Sequence, residues 1–152
     1  MADTLNVYKD GELIKSEDYV DGKVTITIDG LEANTNYSKG AYQVSRKNEN
    51  GESSKVDVPA FKTKPIAVTG VTVTPETATV EVGGTTKISN SVVPSTATNK
   101  KVSYSTSDEA VATVTNSGTV TGVSEGEATI TVTTEDGNKT ATSAVTVNAA
   151  TE

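Results

Sequence analysis

The stretch VATVTNSGTVTGVSEGEATITV, residues 111–132, decides the fold class of this chain. Glycine-bearing turns at residues 116–118 (NSG) and 125–126 (EG) divide it into three short runs. In these runs small apolar side chains recur at every second position, as at Val120, Ala128, Ile130 and Val132. A period of two is that of a strand with one buried face. The stretch therefore predicts three short antiparallel strands of a β-sandwich.

The composition limits the chemistry that the chain can perform. Hydrophobic residues make up 34% of the 152 residues and aromatic residues 4%, and Trp is absent, so a thin core of small β-branched side chains is expected. The sequence contains neither Cys nor His, which excludes thiol nucleophiles, disulfides, imidazole bases and the commonest zinc ligands.

The charge argues against nucleic-acid and membrane partners. The formal net charge is −7, and such a surface repels phosphate and anionic lipid headgroups. No window approaches the roughly 20 apolar residues that a membrane-spanning helix needs, and the amino terminus shows no signal-peptide pattern. We expect a chain that is made and remains in the cytoplasm, or one from which an export signal has been removed.

The first half of the chain is predicted to be a series of short strands. The runs LNVY and ELIK flank Lys9-Asp10-Gly11, and Asp-Gly between two such runs predicts a type I′ hairpin. The run KVTITI, residues 23–28, is predicted to be the clearest strand of this half. Its apolar side chains share one face: Val24, Ile26 and Ile28.

The sequence that follows carries a family resemblance. DGLEANTNY (residues 29–37), then AYQVSRKNENGESSKVDV and PAFKTKP, resembles the end of a fibronectin type III domain, and the match covers about residues 5–65. The resemblance implies that the Tyr37 hydroxyl bonds to the backbone across a corner between strands. It also implies that the KNENGES tip is a recognition loop.

This resemblance is to a truncated domain, because the chain opens where the third strand of that family should be. Residues 1–65 are then a β domain in which nothing covers part of the apolar face of residues 24–28. An open face and edge invite association, so we predict a docking module that uses Val24, Ile26 and Ile28 to bind a partner or a neighbouring copy. The alternative is that residues 5–15 fold back and fill the gap in a compact five-stranded domain.

The second half resembles the bacterial immunoglobulin-like group 2 domain over about residues 69–148. The resemblance rests on GVTVTP, VEVGGT, VVPSTATNKKVSYSTSDEAVATV, GTVTGVSEGEATITV and AVTV, in that order. Within it, residues 78–94 are expected to give two strands around Gly83-Gly84, and Tyr104 stands where the family commonly has Trp. The chain is therefore predicted to be all-β, with two tandem immunoglobulin-like β-sandwich domains at residues 1–65 and 66–152.

No motif predicts an enzyme or a cofactor. Adjacent carboxylates occur at residues 17–18, 108–109 and 135–136, but neighbours on a strand point to opposite faces and those in turns are solvated. No stretch has the ligand spacing of a calcium loop, so no metal is expected. The five tyrosines are expected to pack in cores or at edges rather than to form a carbohydrate-binding platform.

The two resemblances imply a structural role. Both domain types are familiar in tailed-phage virion proteins and in bacterial surface adhesins. A short chain without export or anchoring signals favours a virion decoration protein that assembles in the host cytoplasm. It would dock through residues 1–65 to a capsid or tail protein, or to copies of itself, and display a domain that touches host cell-surface glycans weakly. The alternatives are a fragment of a bacterial cell-surface adhesin and, less favoured, a polysaccharide-binding accessory module of an enzyme.

Overall fold

The structure is a computed structural model that describes residues 3–150. The chain divides into two compact units, Met1–Lys64 and Pro65–Glu152. Every regular element in residues 3–150 is a β-strand, which confirms the predicted all-β class. In the same span no helix is long and apolar enough to cross a bilayer.

The first unit contains one five-stranded antiparallel sheet and one two-stranded pair. The described strands are β1 (Thr4–Lys9), β2 (Glu12–Asp18), β3 (Asn36–Tyr37), β4 (Tyr42–Asn48), β5 (Gly51–Glu52), β6 (Val56–Asp57) and β7 (Phe61–Lys62). The sheet runs in the order β2-β1-β4-β5, with β6 also on β4, and β3 pairs with β7. The hairpin between β1 and β2 is as predicted, since Asp10 and Gly11 both have positive φ (52° and 84°).

The corner predicted around Tyr37 is present. The backbone N–H of Glu32 donates to the Tyr37 hydroxyl at 3.1 Å, five residues back along the chain. The Tyr37 ring stacks on Phe61 with centroids 5.0 Å apart, and Tyr42 packs against both rings. These contacts hold the chain where it enters β4, so that β4 can join the larger sheet.

One expectation for the first unit is corrected: residues 24–28 belong to no strand ladder, although a strand was predicted at 23–28. Residues 5–15 lie in β1, β2 and the turn between them, within the five-stranded sheet, and the fold-back alternative stays a prediction. A hydrophobic period of two predicts an extended chain, but a ladder needs a neighbour, and the described residues supply none.

The second unit is built from nine described strands. They are β8 (Gly70–Thr74), β9 (Thr77–Glu81), β10 (Thr85–Lys87), β11 (Ser89–Val93), β12 (Val102–Thr106), β13 (Ala112–Val114), β14 (Thr119–Gly122), β15 (Gly126–Thr134) and β16 (Thr140–Asn148). One sheet has the order β12-β15-β16-β9, in which only the β16–β9 pair is parallel. The remaining strands form the groups β10-β14-β13 and β11-β8.

The opening stretch folds as predicted into β13, β14 and β15. The first two pair with each other, whereas β15 belongs to the four-stranded sheet. Its alternating side chains all lie in the core: Val120, Ala128, Ile130 and Val132. The stretch therefore contributes to both layers, and the small side chains that the sequence singles out fill the space between them.

One strand boundary in this unit was missed. Residues 78–94 give three strands rather than two, because the second predicted run divides at Ile88. Ile88 is completely buried, and its N–H donates to the Gly118 carbonyl at 2.8 Å. The chain leaves β14 at this residue and pairs with β8 from Ser89 onward. Tyr104 packs on the same core, and its hydroxyl lies 2.7 Å from Asn90 Nδ2.

Candidate docking surface

The three residues predicted to dock a partner lie on a segment that Lys15 ties to the side of the first sheet that carries Val7. Val24, Ile26 and Ile28 are half-buried, whereas Thr25 and Thr27 between them are exposed. The ammonium group of Lys15 donates to the Thr27 carbonyl at 2.5 Å. Lys15 stands opposite Val7 in the β1–β2 register, so both side chains project from one face of the sheet. Lys15 thus ties the segment at Thr27 to that face, and the apolar side chains of the segment are partly covered.

The backbone of this segment lacks the hydrogen bonds of a sheet. Lys23 exchanges two backbone hydrogen bonds with Val20, and the next backbone pair along the described chain joins Asn34 to Lys64. Between them, the Thr27 carbonyl accepts from Lys15, the Glu32 N–H donates to Tyr37, and side-chain hydroxyls donate to the carbonyls of Glu32 and Ala33. Within residues 24–31, the Lys15–Thr27 bond is the one described hydrogen bond to the backbone. An extended segment with unpaired N–H and C=O groups is a template for another strand.

The first unit has a small hydrophobic core. Of the 17 buried apolar residues in the described chain, 14 belong to the second unit, which leaves Val7, Tyr8 and Tyr42. Large apolar side chains of the first unit are instead exposed, and the most exposed is Val20 at 70%. A 64-residue unit is near the size at which a core alone gives marginal stability, so additional cover stabilises it.

A polar network that the sequence did not predict lies on the opposite face of the sheet. The Glu52 carboxylate accepts hydrogen bonds from Asn6, Tyr8 and Ser45, and the Lys55 ammonium lies 3.8 Å from the centre of the Tyr8 ring. These donors, with Ser45 first, lower the pKa of Glu52 from 4.5 to about 2. Such a carboxylate holds a proton too weakly to act as a general acid or base near neutral pH. Its role is to satisfy the buried polar groups beneath it.

In each of the three pairs of adjacent carboxylates, the Asp accepts a hydrogen bond within the fold, and for Asp18 the donor is the Thr4 hydroxyl. Asp108 accepts from the Ala110 N–H at 2.9 Å within a turn, and Asp136 accepts from the Val68 N–H at 2.9 Å. Glu17 and Asp18 are exposed at the end of β2. Within residues 3–150 no three acidic, His or Cys side chains are grouped so as to hold a metal ion.

The chain is similar to proteins of several kinds. Over 84 residues it is 46% identical to an Ig-like virion protein of Serratia phage KSP90, an alignment that covers 55% of this chain and 33% of that protein. Over 82 residues it is 45% identical to an alpha-L-arabinofuranosidase of Bifidobacterium longum, covering 54% of this chain and 8% of the enzyme. The chain thus spans a third or less of the length of these relatives.

Solved structures share the fold. Domains 1–6 of the surface layer protein SbsC superpose with a TM-score of 0.55 at 18% identity, covering 97% of this chain and 28% of that one. Drosophila N-cadherin gives a TM-score of 0.55 at 13% identity, covering 99% of this chain and 41% of that one. At such identities the likeness concerns architecture alone.

The family assignment rests on the second unit. The group 2 bacterial Ig-like domain matches residues 67–145, which are 79 of the 152 residues. The matched span begins before β8 and ends within β16, so it includes every buried residue of the second unit's core except Val147. The chain therefore belongs to the bacterial Ig-like domain (group 2) family.

Proposed function

We propose that this chain is a non-enzymatic structural protein of a phage particle. The observation that carries the proposal is the 46% identity to an Ig-like virion protein of a Serratia phage. The chemistry of the described residues agrees with it, because the Asp of each adjacent carboxylate pair accepts a hydrogen bond within the fold and Glu52 is held in a polar network. In this proposal the chain acts through its position on the particle and through what it contacts.

The two units divide this work. The first unit docks on a head or tail protein, or on another copy of the chain, through Val24, Ile26 and Ile28, which are half-buried on a segment with a free backbone edge. The second unit has a complete core and acts as a rigid decoration domain. A weak contact of this domain with host glycans becomes effective when many copies sit on one particle.

Rebinding to particles tests the assignment of the docking surface. Particles of the source phage are stripped of this protein, and the purified chain is added back in increasing amounts. Ile26→Asp places a charge on the half-buried side and is expected to weaken rebinding at least tenfold, whereas Ser38→Asp, at an exposed site of the same unit outside the segment, is the matched control and is expected to leave rebinding unchanged. Equal binding by both variants would reject this surface, and absence of the chain from mass spectra of purified virions would reject the virion assignment.

The similarity to an arabinofuranosidase favours a second candidate. A stretch of nearly the same length and identity forms 8% of that enzyme, so an Ig-like module of this kind also occurs as part of a much longer protein. The candidate function is a non-catalytic module of a cell-surface or polysaccharide-degrading protein. Retention of the chain on insoluble arabinan, together with its absence from virions, would support this candidate over the first.

A further inference from the structure

Residues 23–29, the segment that holds the candidate docking residues, have a sequence that is complementary to itself in antiparallel orientation. Residues 23–29 are KVTITID, bounded on both sides by Asp-Gly or Gly. Placed antiparallel to a second copy with Ile26 opposite Ile26, the segment brings together these residues: Lys23 with Asp29, Val24 with Ile28, and Thr25 with Thr27. We propose that two copies of this chain pair through residues 23–29 in this register. The inference deepens the proposed function, since it names a second copy as the partner at the docking surface.

The backbone groups on the unoccupied edge of the segment belong to the even-numbered residues, which is what this register requires. Lys23 uses its N–H and C=O for Val20, and Thr27 directs its C=O to Lys15, so the odd-numbered residues face the chain's own β2 and turn. In a strand the N–H and C=O of alternate residues point to opposite edges. The groups of Val24, Ile26 and Ile28 therefore point to the unoccupied edge. With Ile26 on the two-fold axis, each of these three residue pairs exchanges two hydrogen bonds.

The side chains favour the same register as the backbone hydrogen bonds. The three apolar residues of each copy meet on the half-buried side, and β-branched cross-strand pairs stabilise a sheet. The odd-numbered residues form the non-hydrogen-bonded pairs, in which side chains approach most closely, so Lys23 meets Asp29 of the other copy at both ends. Asp29 also lies 3.5 Å from Lys15 of its own chain, but its side chain is 82% exposed and can accept a second cation.

The charges select a second copy as the occupant and fix the register. A shift of two residues keeps the apolar side chains on the correct face but places Lys23 opposite Thr27 and removes both ion pairs. The paired arrangement has two-fold symmetry and is closed, because each edge is consumed by the same edge of the other copy. It gives a dimer and not a fibre.

The test is the self-association of the full chain by sedimentation equilibrium. In the dimer, Lys23→Asp places two carboxylates opposite each other at each end of the paired segments, and Asp29→Lys places two ammonium groups opposite each other. Each variant alone is expected to weaken the dimer about tenfold or more. An equimolar mixture of the two restores opposite charges in the heterodimer and is expected to return to within about threefold of the native affinity. Lys39→Asp makes the same charge change at an exposed site outside the segment and is the control.

Disulfide trapping tests the register by a second route. The chain contains no Cys, so introduced thiols are the only ones present. Thr25→Cys mixed with Thr27→Cys is expected to form a crosslinked heterodimer, because the Cα atoms of such a pair are about 4.5 Å apart. Thr25→Cys alone places its two thiols on a diagonal, about 8 Å apart between Cα atoms, and is expected to crosslink much more slowly.

The outcomes separate this inference from the proposed function. A chain that stays monomeric at about 0.1 mM, or a dimer that Lys23→Asp leaves unchanged, would overturn the inference. If that monomer still rebinds to particles in an Ile26-dependent way, the docking surface stands with another occupant. A dimer that shows the charge rescue but does not bind particles would support the inference and contradict the docking role.

Discussion

The turn at Gly118 provides a stability test with an internal reference. Gly118 has a φ of +81°, and a Cβ atom added there would lie 2.2 Å from the Ile88 carbonyl oxygen and 2.9 Å from the Tyr104 ring. Gly83, in the same unit, has a φ of +82°, and nothing lies within 4 Å of the corresponding point. Alanine at the two sites therefore shares the backbone penalty and differs in steric overlap.

The two penalties have separable magnitudes. An L-residue in the left-handed region costs about 1–2 kcal/mol, and this is the whole cost expected for Gly83→Ala. Gly118→Ala adds the overlap with a backbone carbonyl and a packed ring, for which overpacking in a core costs about 1–3 kcal/mol. We expect the free energy of unfolding of the second unit to fall by about 2 kcal/mol more for Gly118→Ala than for Gly83→Ala.

The measurement must report the second unit alone. Urea titrations of the full-length chain, followed by the amide resonances of Ile130 and Val145, meet this need because both residues are buried in that unit's core. The difference between variants is taken from the midpoints at constant m-value. Equal destabilisation by the two substitutions would refute the reasoning, since it would mean that the turn moves away from Ile88 without cost.

Two further predictions concern the first unit. Tyr37→Phe removes the hydroxyl that accepts the Glu32 N–H while leaving the ring on Phe61, and is expected to lower this unit's free energy of unfolding by about 1 kcal/mol, with faster hydrogen exchange at the Glu32 amide. The lowered pKa of Glu52 means that its contribution is present above pH 4.5 and is lost as the pH falls toward 2. Urea midpoints of the native chain should therefore decline over that range more than those of Glu52→Gln, and parallel curves would contradict the assignment.

Local features of the fold could be predicted from the sequence because their causes are local. The turn at Asp10-Gly11 needs two residues that accept positive φ, and the dipeptide supplies them. The Tyr37 corner needs an acceptor five residues from its donor, which lies within one short loop. The alternation of Val120, Ala128, Ile130 and Val132 predicts a buried face whatever the pairing, and each of these residues is in the core.

Features that depend on a distant partner could not be predicted. The run at residues 23–28 has the period of a strand, but hydrogen-bonded pairing also needs a neighbour, and no described strand forms a ladder with it. The Glu52 network joins residues about 45 positions apart, and no spacing rule connects them. The division at Ile88 follows from a bond to Gly118, 30 residues away. In each case the deciding contact is non-local.

The contrast between the two units has a physical basis in what each has to bury. The second unit encloses 14 apolar residues between its layers, so its stability is its own and its surface is free to vary. The first unit cannot enclose Val24, Ile26 and Ile28 with the strands it has, and every additional apolar group placed there would raise the cost of leaving the edge open. A β-branched segment with one charge of each sign at its ends limits that cost when the chain is alone, and in the pairing proposed above it gains hydrogen bonds and ion pairs from the second copy. In that proposal the small core of the first unit and its association have the same cause.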